Sequence, residues 1–190
     1  MTSIFFGGSR SLGRLSPEVK TRLDNVIERG FQVLIGDANG GDKSAQQYLA
    51  ERGYRNVTVY CTDGACRNNV GGWPIKAIPF SGDKKGGFAF YTAKDDAMAN
   101  DADYGLMVWD RKSKGTLRNV VNLARQDKTT AIYFAPERRF INVRKLGDAT
   151  QLLDLCDADT VPYLEQMLQK SGISQTAAVA RERPVDYPSV

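Results

Sequence analysis

The chain has 190 residues, 42% hydrophobic and 25% charged, with a net charge of +4. That is enough apolar material for one sizeable core and too little positive excess for the dense basic stripe of a dedicated nucleic-acid binder, so a small anion is the expected partner and nucleic acid is not. The sequence lacks histidine and its three cysteines, Cys61, Cys66 and Cys156, lack zinc-site or disulfide-framework spacing, which excludes Ser-His-Asp and Cys-His catalysis and leaves reduced thiols and no metal as the expectation.

In chain order, residues 3–6 form a short apolar strand, followed by the loop Gly7-Gly8-Ser9-Arg10. Residues 17–29 read as a helix with Ser16 as N-cap, Pro17 at the first position, and Val19, Leu23, Val26 and Ile27 on one face. A second strand at 32–35 leads into Gly36-Asp37-Ala38-Asn39-Gly40-Gly41-Asp42-Lys43-Ser44 and a helix over 42–52 that closes on Gly53. A third strand at 57–61 precedes an insert, residues 62–91, whose length and glycine pairs mark a functional segment, read as a lid. A further helix, a fourth strand at 106–109, a helix carrying Leu117, Val120, Val121 and Ala124, and a fifth strand at 131–134 complete the alternation. Beyond Pro136, a basic stretch leads to Leu152, Leu153 and Leu155, then Val161, Leu164, Met167 and Leu168, which indicate added helical packing.

Strands apolar on both faces, alternating with helices, predict an α/β protein: a three-layer Rossmann-like fold with a mainly parallel sheet of at least five strands and C-terminal helical additions. Residues 1–173 read as one nucleotide-binding domain and 174–190 as a disordered tail. No apolar run approaches the ~20 residues of a membrane span, and MTSIFFGGSR lacks the features of a signal peptide, so the expected location is the cytoplasm.

In such a sheet the ligand lies at the carboxyl ends of the strands, where three loops converge. Gly7 and Gly8 permit close backbone approach, while Ser9 and Arg10 can bond an anion. Gly36, Asp37, Gly40, Gly41 and Asp42 belong to a segment that nearly spells a Walker A loop, but Asp42 stands where the lysine is required and Lys43 is turned by roughly 100° about the helix, which argues against an NTPase loop. Asp42 fits an N-cap of the second helix as well as it fits a ligand contact. After the fourth strand, Asp110 precedes Ser113-Lys114-Gly115-Thr116, which offers backbone N–H groups, a hydroxyl and a cation to a phosphate at a helix N-terminus. Asp110 itself suits a ribose or a general base.

These residues, in this order, together with KDDAMANDAD before the fourth strand and SKGTLRNVVNLA after it, resemble the SLOG superfamily over roughly residues 3–135. That group includes YspA-like proteins, the LOG phosphoribohydrolases often misnamed lysine decarboxylases, and the Rossmann-like domain of DprA; the similarity is closest to the YspA-like branch. The resemblance implies a nucleotide or nucleotide-derived ligand at the glycine loops, with no other cofactor, and a homodimer. Against the PGGxGTxxE signature of the LOG enzymes, Gly115-Thr116 is kept, Asn119 replaces the catalytic glutamate, and Asp95 stands three before Met98 where a companion arginine is expected. Asn119 can hold a substrate but cannot serve as a carboxylate base, leaving Asp110 and Asp95 as candidate catalytic groups.

Three functions follow as expectations. The first is nucleotide binding of SLOG type, with hydrolysis of an N-glycosidic bond in a nucleoside phosphate or NAD-like molecule. The second is a non-catalytic sensor of a nucleotide signal. The third, less favoured, is DprA-like single-stranded DNA binding through Arg138, Arg139, Arg144 and Lys145 with nearby Phe140.

Overall fold

The computed structural model describes residues 1–64, 66–82 and 87–173. The expected disordered tail at 174–190 therefore lies outside the described residues. Strands β1 (Ser3–Gly8), β2 (Gln32–Gly36), β3 (Val57–Thr62), β4 (Ile75–Ile78), β5 (Tyr104–Trp109), β6 (Thr130–Phe134) and β7 (Arg139–Val143) form one sheet in the order β4-β3-β2-β1-β5-β6-β7. All neighbours are parallel except β6 and β7. Helices α1 (Pro17–Glu28), α2 (Gly41–Glu51), α3 (Phe88–Asp101), α4 (Lys114–Ala124) and α5 (Val161–Lys170) complete the expected Rossmann-like architecture.

Each face of the sheet has its own core. Phe6, Val33, Ile35 and Val59 pack with Val19, Leu23, Ala45 and Leu49 of α1 and α2, while Phe5, Met107, Trp109 and Ile132 pack with residues of α3, α4 and α5 on the other side. Alternation along each strand sends neighbours to opposite layers, and both layers are covered, so the central strands are apolar throughout. Ser16 caps α1, accepting from the Val19 N–H, and Ser113 caps α4, accepting from the Thr116 N–H.

Two strands fall where the sequence reads otherwise. Within the insert, which is read from the sequence as a lid, Ile75–Ile78 is an edge strand parallel to β3, so this part of 62–91 extends the sheet. It is short, largely exposed and flanked by Pro74 and Pro79, features of an edge rather than of a core strand. The segment 139–143 within the basic stretch is not a lead-in to helices but β7, where Ile141 and Val143 are buried and Asn142 between them is exposed.

β1 pairs with β2 on one side and β5 on the other, which makes the β1–β5 junction the point where the strand order reverses. Loops leaving the carboxyl ends of these two strands diverge to opposite faces and leave a crevice between them.

Candidate functional site

The crevice is a cavity of about 460 Å³. Of the residues singled out in the sequence, Gly7 and Gly8 at the end of β1, Arg10 just after it, Asp42 in α2, Asp95 in α3, and Asp110, Ser113, Gly115, Thr116 and Asn119 around the start of α4 all line it. Gly36, Asp37, Gly40, Gly41, Ser9 and Lys114 are not part of its wall. Lys114 instead stands over the Tyr163 ring at 5.8 Å.

The residues outside the wall hold the loops together. Ser9 is fully buried; its hydroxyl donates to the Val108 carbonyl at 3.3 Å and accepts from the Asp110 N–H at 3.2 Å, while its carbonyl accepts from the Gly41 N–H. It joins the loops after β1 and β5 to the start of α2, a structural rather than ligand-contacting position. Gly8 and Gly41 pack backbone to backbone: a Cβ on Gly8 would lie 2.8 Å from the Gly41 Cα. Gly40 is the N-cap of α2 with φ +83°, a conformation suited to glycine, and its Cα faces the Arg10 backbone too closely for any side chain.

Asp42 is therefore not the N-cap of α2. It sits in the first turn, buried, and its carboxylate accepts from the Gly8 N–H at 3.2 Å and the Ala38 N–H at 3.4 Å. Burial pushes the carboxyl up to about 6; Asp95 adds to the rise, while the Lys94 ammonium and the two N–H donors oppose it. Lys94, to which the sequence assigns no role, is buried at the floor of the cleft, 2.7 Å from Asp95 and 3.9 Å from Asp37. Burial works against its positive charge, but Asp95 and Asp42 outweigh it and raise the lysine above its ordinary value. It is thus a fixed cation, not a free amine. Asp37 in turn receives both the backbone N–H and the guanidinium of Arg67. Asp37, though outside the wall, braces the floor from behind.

The two candidate catalytic carboxylates are both engaged. Asp110 accepts from the Ser11 hydroxyl and from the N–H groups of Lys112 and Ser113. Burial favours its neutral form, but these donors prevail and hold the carboxyl below its ordinary range. Asp95 is paired with Lys94. By contrast, Arg10 lines the cleft with its guanidinium 5.1 Å from the Tyr91 ring centre and no carboxylate partner among the described residues, and Lys112 lines it likewise unpaired. Asn119, 6% exposed, presents an amide whose Oδ1 has no hydrogen-bond partner among the described residues. The cleft thus combines Arg10 and Lys112, without carboxylate partners among the described residues, and the N-terminus of α4 at its rim with a braced acid-lysine cluster at its floor.

The basic group proposed for DNA contact is divided. Arg138 and Arg139 lie at the end of β7 beside Phe134, ion-paired with Glu18 and Glu137, whereas Arg144 and Lys145 follow its far end beside Thr130, roughly 15 Å away at the usual rise per residue. Phe140 is covered by Arg22. The expectation of three reduced thiols is also corrected: Cys61, at the end of β3, and Cys66 form a disulfide with Cα atoms 5.2 Å apart, a proximity created by the turn after β3 and invisible in spacing alone. Cys156 is free and buried.

No protein-family model and no curated protein sequence matches the chain. Among solved structures, the chain resembles DNA processing protein A from Helicobacter pylori, a structure described for its single-stranded DNA binding mode, with a TM-score of 0.54 at 14% identity over 89% of this chain and 81% of that one. At that identity the likeness establishes a shared Rossmann-like fold. It also overturns the expectation that nucleic acid is not a partner, because a protein of the same fold binds a strand and a net charge of +4 is no ground for exclusion. No helix among the described residues is long and apolar enough to cross a membrane.

Proposed function

We propose that the cleft between β1 and β5 binds a nucleotide unit through its phosphate, in the manner of a SLOG-type domain. The observation that carries this reading is the convergence on one cavity of Gly8, of Arg10, which has no carboxylate partner among the described residues, and of the capped N-terminus of α4. Helix N-terminal N–H groups and a free guanidinium are complementary to a phosphate, and glycines at both walls allow it to approach the backbone. AMP should raise the melting temperature; at a hundredfold excess over Kd the gain is about 2.7 kcal/mol. Gly115→Val should remove the shift. No shift with AMP or with inorganic phosphate would overturn the reading.

A second reading, favoured by the fold comparison, is that the nucleotide belongs to single-stranded DNA. The strand would enter at Arg10 and Lys112 rather than along the divided basic group of β7. Its affinity for an oligo-dT probe should fall with salt at a log–log slope of about −0.7 per phosphate engaged, and AMP should compete. Binding of AMP without binding of oligo-dT would favour the small-ligand reading. Hydrolysis of an N-glycosidic bond requires a carboxylate free to activate water, and the commitments of Asp110 and Asp95 favour binding or sensing over turnover. Release of free base from a nucleotide panel would reverse that preference.

A further inference from the structure

The wall of the cleft contributed by α3 changes character along its length. Phe88, Tyr91, Thr92 and Asp95 line the cavity at spacings of three, four and seven residues, and so share one face of the helix. At the deep end Asp95 meets Lys94; at the outer end the stripe becomes aromatic. Tyr91 is engaged by the protein, with the guanidinium groups of Arg10 and Arg67 5.1 and 5.0 Å from its ring centre and the Phe90 ring edge-on at 5.5 Å. Phe88, one turn outward, is 61% exposed.

A single exposed phenylalanine is ordinary on a protein surface. This one lines the same cavity as Gly8, Gly115 and Thr116. A ligand anchored there by an anionic group, and carrying a flat apolar part, can bury that part against the ring.

We propose that Phe88 is a stacking platform for the base of a nucleotide whose phosphate sits at the glycine loops. The proposal rests on the phosphate-binding reading and adds how the rest of the ligand is recognised. Stacking accepts any base because every base has a π face, so affinity gains from a base being present and depends little on which base it is. The same platform serves a free nucleotide or one nucleotide of a strand.

The test compares AMP, UMP and inorganic phosphate. Phe88→Ala should weaken AMP and UMP by about 5- to 100-fold, the range for loss of one stacked base, and leave inorganic phosphate within about twofold. Phe88→Trp supplies a direct signal, because the native Trp73 and Trp109 are 4% and 0% exposed. Its new indole emission should be quenched by AMP and UMP and not by inorganic phosphate. AMP binding by Phe88→Ala at wild-type strength, or AMP binding no tighter than inorganic phosphate, would overturn the platform while leaving the phosphate site standing. If the wild type binds neither AMP nor inorganic phosphate, the phosphate reading falls and takes the platform with it.

Discussion

Asp42 holds together two loops of the cleft, and that duty comes with a charge that burial opposes. Its carboxyl moves from an ordinary 3.8 to about 6 in the fold. Between those values the folded protein binds the proton more tightly than the unfolded chain, so the contribution of Asp42 to stability falls as pH rises through the window and levels off above it. The stability difference between wild type and Asp42→Asn should accordingly shrink from about pH 4 to about pH 6 and stay constant above about pH 7, as read by urea unfolding. A difference independent of pH would refute the assignment. Asp110 has the opposite sign: its carboxyl lies below the ordinary value, so its contribution persists at neutral pH and fades only in acid. Asp110→Ala leaves the Lys112 and Ser113 N–H groups without their acceptor and should cost about 1–3 kcal/mol in unfolding free energy at neutral pH.

At the level of elements, the glycines at the cleft divide into two kinds. Gly8 lets β1 and the start of α2 touch, whereas Gly115, in the first turn of α4, has no atom within 4 Å of where a Cβ would sit. Gly8→Ala should therefore lower stability by about 1–3 kcal/mol through overpacking against Gly41. Gly115→Ala should leave stability unchanged or raise it by up to about 1 kcal/mol, since alanine is the better helix former. Thermal unfolding of the two variants side by side checks the contrast; equal losses would mean that α4 is packed against a neighbour at this point. The first turn of α4 is thus open at Gly115.

On the scale of the whole molecule, the disulfide and the core can be counted together. With Cys61 and Cys66 paired and Cys156 buried, its thiol pushed up to about 12 by burial and the neighbouring Asp157, the native protein should show no reactive thiol at neutral pH. Denaturation without reductant should reveal one thiol per chain, and reduction should reveal three. Three thiols after denaturation alone would show that Cys61 and Cys66 are not joined.

What the sequence determined by itself is whatever local chemistry encodes. Apolar runs alternating with helices specify the five central strands, Ser16-Pro17 and Ser113 announce where α1 and α4 begin, and Gly7-Gly8 at the end of β1 and Gly115-Thr116 at the start of α4 fall at the edge where a parallel sheet exposes its ligand crevice. The edge strands β4 and β7 are harder to read because each is short and much of it is exposed, which leaves too short an apolar pattern to distinguish them from loop. Division of labour within the site was a tertiary decision. Ser9 and Asp110 look like ligand and catalyst in sequence, and become loop fasteners because β1 and β5 lie side by side. Lys94 has no marked role in the sequence, and becomes the floor of the cleft because α3 brings it to Asp37 in the loop after β2 and Asp42 in the first turn of α2. Spacing along one segment carries no information about such encounters; only the packing of distant segments does.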